Sequence, residues 1–453
     1  MSSKSHEMDL CSGSLWKKIF VYSVPLMFTN ILQVLFNMSD VAVVGKFAGA
    51  IALGSVGSTS ILVTLFTGIL LGLASGVNAL TALHIGSKDD EGLKRTVHTA
   101  VIICLAGGIL ITVFGILFSH NILALMNTKD ELIDEAVLYL RIYLLGMPAL
   151  GLYNFGNAVL SAAGDTKRPL YYLAFAGVVN VILNLFFVIV CHLGVAGVAL
   201  ASMISQFISA FLILRALLTG KEKYCLRLSE IRFDKRKAVG ILQIGIPSAF
   251  QYSLFAFANL FVQSSVNSFD HVLVEGNSAA ANADPLVYDM MAAFYTACSS
   301  FIAQNFGARK KKRILQTYLI CLFYSFITSL VLGVGIYLAR YPFLYLFTSD
   351  KAVVEAGITR LSIMALSYSA SAFMDASIAA SRGLGKTAVP TFVVVMGSCV
   401  FRIIWIYTIF AYFHTIQSLY ILYVFSWGIT AIAENIYFFH VYRHTLTEKK
   451  ELC

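Results

Sequence analysis

Runs of roughly 20 or more mainly apolar residues recur from Ile19 to Tyr442 with only short polar breaks, and they constrain this chain more than any other feature. A helix needs about that length to cross the hydrocarbon layer of a bilayer. The chain is 58% hydrophobic and only 13% charged over 453 residues, with a mean hydropathy of +0.79, which is too much apolar surface to bury inside water-soluble domains. Lipid is the solvent this composition demands. In lipid the backbone must satisfy its own hydrogen bonds, which leaves helices or a closed barrel, and the short alternating strands of a barrel are missing from the sequence. The expected fold class is an all-α integral membrane protein.

Apolar runs between charged breaks give about twelve spans, at 16–42, 51–83, 96–119, 132–161, 169–191, 195–218, 238–267, 277–304, 314–339, 353–381, 389–412 and 417–442. The eighth is interrupted by Asn282, Asp284, Pro285 and Asp289. Lys and Arg are retained in loops that stay cytoplasmic. They concentrate after even-numbered spans: Lys88, Lys94 and Arg95, then Lys167 and Arg168, then the run from Arg215 to Lys237, then Arg309 to Arg313, then Arg382 and Lys386, and finally Arg443, Lys449 and Lys450. With Lys4, Lys17 and Lys18 on the same side, both termini are expected in the cytoplasm of a multi-pass protein of the cell inner (plasma) membrane. The net charge of +9 follows from this asymmetry and calls for no nucleic-acid partner.

Lys17 and Lys18 precede an apolar run as in a signal peptide, but the run continues past Pro25 and Asn30 without a small-residue cleavage site, so it reads as the first membrane helix. The eight cysteines, at 11, 104, 191, 225, 298, 321, 399 and 453, form no CxxC pair or spaced ligand set, so neither a disulfide framework nor a zinc site is indicated.

Laid on itself at a shift of about 221 residues, the chain aligns its punctuation. Ser23-Val24-Pro25 meets Gly245-Ile246-Pro247, and Gly86 with its basic cluster meets Gly307 with Arg309 to Arg313. Leu125 to Thr128 meets Leu346 to Ser349, and Gly164-Asp165-Thr166-Lys167-Arg168-Pro169 meets Gly385-Lys386-Thr387-Ala388-Val389-Pro390. The shared G-x-T-x-x-P is the chemistry of a tight turn: Gly permits positive φ, and Pro fixes the first turn of the next helix. An even number of helices in each half implies two parallel six-helix repeats, with a cavity that can open to either side. The expected organisation is a first lobe at 1–218, a basic linker at 219–237 and a second lobe at 238–453. That linker reads either as a solvated or amphipathic cytoplasmic segment or as a lipid-facing anchor.

These residues resemble the multidrug and toxic compound extrusion (MATE) family over essentially the whole length. The resemblance is carried by Pro25 followed by Asp40 and Val44-Gly45, by Gln304-Asn305-Phe306-Gly307-Ala308, and by the paired turns at Gly164 and Gly385. It implies two lobes around a V-shaped cavity and alternating access driven by inward flow of Na+ or H+. It also implies export of organic cations and other amphipathic drugs, with no prosthetic cofactor. Asp40 matches the family's first-helix carboxylate and Asn180 its fifth-helix asparagine, which makes that pair the candidate Na+ position. Asn184 stands where one branch has a second aspartate, so a titratable group is missing and the coupling ion is left open between Na+ and H+. The seventh span lacks the glutamate that another branch uses for sodium.

Read without the family, the same residues stand out. Asn30, Gln33, Asn37 and Asp40 are spaced three, four and three apart, on one face of the first helix. The fourth span adds Asn154 and Asn157, and the fifth adds Asn180 and Asn184, with Asn180 roughly 16 Å along its helix from Pro169. Insertion of a carboxylate at membrane depth costs about 2.5 to 3.5 kcal/mol, so Asp40 with Asn37, Asn154, Asn180 and Asn184 forms a candidate ion-coupling set. The alternatives are an ordinary helix-end carboxylate at the interface, and asparagines that serve only to bond helix to helix. The second half carries Asp284 and Asp289, Asp375, Arg402 and Glu434. Arg402, near mid-span, is expected to pair with Asp375 or Asp284, and this set with Gln33 is assigned either to the substrate cavity or to a structural charge network.

Aromatic residues, 13% of the chain, are explained by lipid-facing packing and the interfacial belt, so none is assigned to a drug. The nine histidines are scattered, and there is no G-x-S-x-G, HExxH or P-loop, so neither an enzyme nor a nucleotide-driven pump is indicated. The function expected is a cation-coupled antiporter for small organic compounds, in contact with membrane lipids and needing no obligate protein partner. A flippase for lipid or lipid-linked oligosaccharide of related architecture is the alternative. Such a flippase would line its cavity with several Arg or Lys residues, and Arg402 reads as the only clearly mid-span cation. A channel fits less well, because the polar clusters are discrete.

Overall fold

The computed structural model describes residues 8–445, which are mostly helical and contain no strand. We number the spans α1 (Leu15–Ala48), α2 (Ala50–Ser87), α3 (Asp90–Leu125), α4 (Asp130–Leu144 with Met147–Ala162), α5 (Lys167–Val190) and α6 (Gly194–Thr219). The second series is α7 (Lys235–Val266), α8 (His271–Gly307), α9 (Lys311–Leu338), α10 (Lys351–Gly383), α11 (Ala388–Phe413) and α12 (Ile416–His444). Eleven of these are individually long and apolar enough to cross a bilayer, and the bent pair α4 makes the twelfth.

The expected unbroken span 132–161 is instead bent by 44° where α4 breaks. Pro148, in the first turn of the second piece, has no N–H to continue a helix. At Gly146 an added Cβ would stand 1.9 Å from Gln206 Oε1, so the break also makes room for that side chain. The polar interruption of the eighth span, by contrast, is absorbed. Asn282 turns its amide back onto the carbonyls of Ser278 and Ala279, at 3.0 and 3.1 Å, and α8 runs on.

The internal repeat is written into the backbone. Lys88 and Arg309 end α2 and α8 at φ +58° and +57°, Gly164 and Gly385 precede α5 and α11 at +88° and +74°, and His192 and His414 precede α6 and α12 at +54° and +47°. Each pair is separated by 221 or 222 positions. The left-handed region is unfavourable for most side chains, so its recurrence at one offset marks a shared turn geometry. Pro169 and Pro390 each fall in the first turn of the helix that follows, where a missing N–H costs nothing.

The helices form two compact units, and their boundaries differ from a simple halving of the chain. One unit contains Phe28–Ala249, and the other contains Leu10–Met27 with Phe250 onward. Helices α1 and α7 therefore each pass from one unit to the other in mid-helix. Pro25 and Pro247 lie two residues before those crossings. In the first unit α2 packs tightly on the early half of α7: a Cβ at Gly72 would stand 2.3 Å from the Ala249 backbone nitrogen, so only glycine permits this approach. Its core includes Val77, Val97, Phe155, Val159, Ile213 and Ile241. The second unit is built around α10, whose buried Ser371, Ala372, Ala376, Ser377, Ala379 and Ala380 are small enough for neighbouring helices to close on it.

The 219–237 segment belongs to the first unit rather than standing free. Tyr224, Cys225 and Leu226 are buried, Arg227 N–H donates to His98 Nε2 at 3.1 Å, and Asp234 N–H donates to Thr99 Oγ1 at 3.1 Å. Lys94 pairs with Glu230 and Lys223 with Asp90. Its charged side chains thus tie it to the head of α3. No disulfide links the seven cysteines among the described residues. Lys4, Lys449 and Lys450, which enter the orientation argument, lie outside the described residues, as does Cys453.

Candidate functional site

In the first unit a carboxylate is enclosed by neutral polar groups from two other helices. Asp40, late in α1, is 9% exposed. Its Oδ1 accepts the Asn184 amide from α5, and its Oδ2 accepts the Ser202 hydroxyl from α6 at 2.8 Å. Asn180, one turn before Asn184, closes the ring: its Oδ1 accepts from Asn184 Nδ2 at 3.2 Å, and its own Nδ2 donates to Ser202 Oγ at 3.3 Å. Asn184 Oδ1 is fully buried and makes no hydrogen bond. Two carboxylate oxygens, two amide carbonyls and a hydroxyl make an all-oxygen set of the kind hard cations take. A protonated Asp40 would find acceptors in the same amides.

Local backbone helps to place these groups. A π-helical turn, Val44–Ala48, follows Asp40 in α1, and another, Phe186–Val190, follows Asn184 in α5. Such turns often mark functional positions in otherwise regular helices. Tyr139 and Tyr143 of α4, with rings stacked at 5.9 Å, lie within electrostatic reach of Asp40.

Of the residues expected together, the structure joins Asp40, Asn180 and Asn184 and leaves two apart. Asn37 is on the exposed side of α1 with Gln33, and no hydrogen bond links it to Asp40. Asn154 is buried in α4 with Nδ2 unsatisfied and has no bond to the cluster. Ser202 completes the ring and is invisible to sequence reasoning, because one serine among several on α6 carries no spacing signal.

The second unit is arranged differently from expectation. Arg402, 2% exposed, pairs with neither Asp375 nor Asp284. Asp284 is taken by Arg360, a buried α10 cation overlooked in the sequence. Arg360 also donates to Asn277 Oδ1 at 2.6 Å, while Tyr368 OH donates to the other Asp284 oxygen. Asp375 Oδ1 accepts from Tyr288 OH at 3.4 Å, and Glu434 of α12 is fully buried with both carboxyl oxygens unbonded. Among the described residues no group of three or more His, Cys, Asp or Glu side chains could hold a metal.

The family model MatE matches residues 25–186 and 247–408, one segment in each repeat. The chain belongs to the MATE family. It is therefore a membrane transporter and not an enzyme. Among curated MATE relatives, a probable multidrug resistance protein, YpnP, of Bacillus subtilis (strain 168) is 31% identical over 68% of each chain. The NorM protein of Thermotoga maritima, also a probable multidrug resistance protein, is 23% identical over 83% of this chain and 81% of its own. A MOP superfamily transporter from Pyrococcus furiosus has the same fold, with a TM-score of 0.91 at 22% identity over 99% of this chain and 100% of that one. An outward-facing MATE transporter matches at 0.90 and 22% identity, covering 97% and 98%.

Proposed function

We propose that this MATE transporter is a cation-coupled antiporter that exports small amphipathic or cationic organic compounds by alternating access, with the coupling cation held at Asp40, Asn180, Asn184 and Ser202. The observation that carries the reading is the enclosed Asp40: a carboxylate in a membrane helix that accepts from a neutral amide and a hydroxyl and joins no ion pair among the described residues. An anion at membrane depth normally has a partner or a task, and a mobile cation supplies the missing charge. Sodium would coordinate the ring of oxygens, and a proton would sit on Asp40 itself and bond to an amide carbonyl turned toward it. The multidrug resistance names of the relatives supply the substrate class.

The basic loops after even-numbered helices and the tethered 219–237 linker are read as cytoplasmic, in the inner (plasma) membrane, with both termini on that side. The lipid-flippase alternative would require unpaired cations facing cargo in number. Arg360 is neutralised by Asp284 and leaves that reading with little support.

The test is dye transport into inverted membrane vesicles with sodium and proton gradients imposed separately. Asp40→Asn is expected to abolish gradient-driven transport while the protein still inserts in normal amount. Undiminished ion-driven transport by that variant would sink the coupling assignment, and gradient-independent flux in the unmodified protein would favour a flippase.

A further inference from the structure

The offset of 222 residues that relates Pro25 to Pro247 and His192 to His414 also relates Asn180 to Arg402, Asn37 to Asn259 and Asp40 to Val262. The first-unit cradle thus has a counterpart in the second unit with its charge reversed. Asn180 Nδ2 donates to Ser202 Oγ of α6 at 3.3 Å, and Arg402 Nε donates to Ser426 Oγ of α12 at 3.3 Å. Where α1 brings the Asp40 carboxylate, α7 brings a neutral amide, and Arg402 Nη1 donates to Asn259 Oδ1 at 2.8 Å. One face of the guanidinium lies over the Tyr423 ring, 4.6 Å from its centre. The α1-equivalent carboxylate is replaced by the buried, apolar Val262.

This leaves a full positive charge inside a membrane span with no counter-ion among the described residues. None of the ion pairs among the described residues includes Arg402, and Tyr423 and Cys399 are the titratable groups that reach it electrostatically. Neither carboxylate expected to pair with it does so: Asp284 is held by Arg360, and Asp375 accepts from Tyr288. An uncompensated charge at this depth is expensive and is kept where it has work to do. Bracing alone does not need it, because a neutral amide can donate to Ser426 and Asn259. Arg402 Nη2 has no acceptor among the described residues, so one arm of the planar fork is free to bond an anion. Asn259 is on the exposed side of α7, so the guanidinium lies one residue from a surface. The helix is also locally remodelled, since Arg402 occupies a five-residue α-helical piece between π-helical turns at Val395–Val400 and Ile406–Phe410.

We propose that the second unit carries an anion site at Arg402, at the position corresponding to the first unit's cation cradle. Its ligand is a small monoanion, either a carboxylate carried by an organic compound or a free halide. The site stands on the second unit's own geometry and holds whether or not Asp40 couples transport to an ion.

Binding is tested on the purified full-length protein by tryptophan fluorescence, since Trp405 is three residues from Arg402 and Trp427 packs on Tyr423 at 5.4 Å. Sodium acetate, sodium benzoate and sodium chloride are titrated separately over a constant sodium sulfate background. A saturable change is expected with at least one of them, at least tenfold weaker in Arg402→Gln and largely restored in Arg402→Lys. Response to acetate or benzoate identifies an organic carboxylate as the ligand, and response to chloride alone identifies a halide. Val262→Asp keeps Arg402 and its bracing bonds but supplies an internal carboxylate one turn from Asn259, so it is expected to lose the added-anion response. Titrations that are the same in unmodified protein and Arg402→Gln for all three salts overturn the proposal, and wild-type binding by Val262→Asp overturns the placement of the site. Asp40→Asn is expected to keep the anion response, so this inference and the coupling assignment fail separately.

Discussion

Asn184 donates its side-chain amide to Asp40 across 144 positions of chain, and Ser202 donates to the other oxygen of the same carboxylate. Helices α1, α5 and α6 are thereby joined at one charge. A hydrogen bond to a charged group is worth about 1.5 to 3 kcal/mol, and 1.4 kcal/mol is about tenfold in affinity. Ser202→Ala and Asn184→Leu are each expected to weaken cation dependence of transport by roughly tenfold or more, measured as the sodium or proton concentration for half-maximal dye uptake. Gln33→Leu and Asn37→Leu, on the exposed side of α1, are expected to leave that concentration unchanged. A shift on Asn37→Leu equal to that on Ser202→Ala would return Asn37 to the coupling set.

The Arg360–Asp284 pair makes a different prediction, for which we propose a structural role. Removing one partner of a buried pair leaves the other charge stranded, typically at about 3 to 5 kcal/mol, but Asp284 is partly exposed and the lower end applies. Asp284→Asn is expected to lower the unfolding temperature in detergent. Arg360→Gln combined with Asp284→Asn should recover part of the loss, because no charge is then left unpaired. Equal stability of the single and double variants would show that the pair is not coupled.

Equivalent glycines in the two repeats are expected to tolerate alanine unequally. Gly164 and Gly385 both hold positive φ, which costs a non-glycine residue about 1 kcal/mol. A Cβ on Gly385 meets nothing within 4 Å, whereas one on Gly164 would stand 2.3 Å from the Met8 carbonyl oxygen. Gly385→Ala should therefore lose about 1 kcal/mol, and Gly164→Ala clearly more, in thermal unfolding of the purified protein. Equal losses would mean that the chain around Met8 moves aside freely.

The sequence makes the helices and the repeat legible because hydropathy and turn chemistry are local. The number of spans and the paired G-x-T-x-x-P turns survive translation into structure. The unit boundaries are not legible, because α1 and α7 cross them without any break in helical pattern beyond Pro25 and Pro247. Asp40, Asn180 and Asn184 could be named from rarity of polar groups in apolar runs. Rarity cannot say which polar groups meet, so Asn37 groups with Asp40 by spacing while Ser202, which bonds it, carries no signal. Arg360 shows the same limit: it lies in the first third of its span, where no sequence signal singles it out, yet it fills the Asp284 contact expected of Arg402.

The linker carries a pH dependence with a definite sign. Asp234 Oδ1 accepts the backbone N–H groups of Lys237 and Arg236 at 3.2 and 2.9 Å, and Arg95 Nη1 stands 3.6 Å from Oδ2. These bonds favour the ionised carboxyl, the Lys237 N–H foremost, and hold Asp234 below the ordinary carboxylate value of about 3.9. A carboxyl whose folded value is depressed contributes its stabilisation in full above the unfolded value and loses it as pH falls through the folded one. Acidification from about pH 6 toward pH 3 should therefore loosen the start of α7 and the Asp234 N–H contact with Thr99. Hydrogen exchange of the amides at 234–238 is expected to speed up over that range, after correction for the intrinsic pH dependence of exchange. Asp234→Asn should exchange faster at pH 6 and lose most of the acid-dependent change. Persistence of the full change in that variant would assign it to Asp89, whose carboxyl is likewise lowered by the Gly92 N–H at the head of α3.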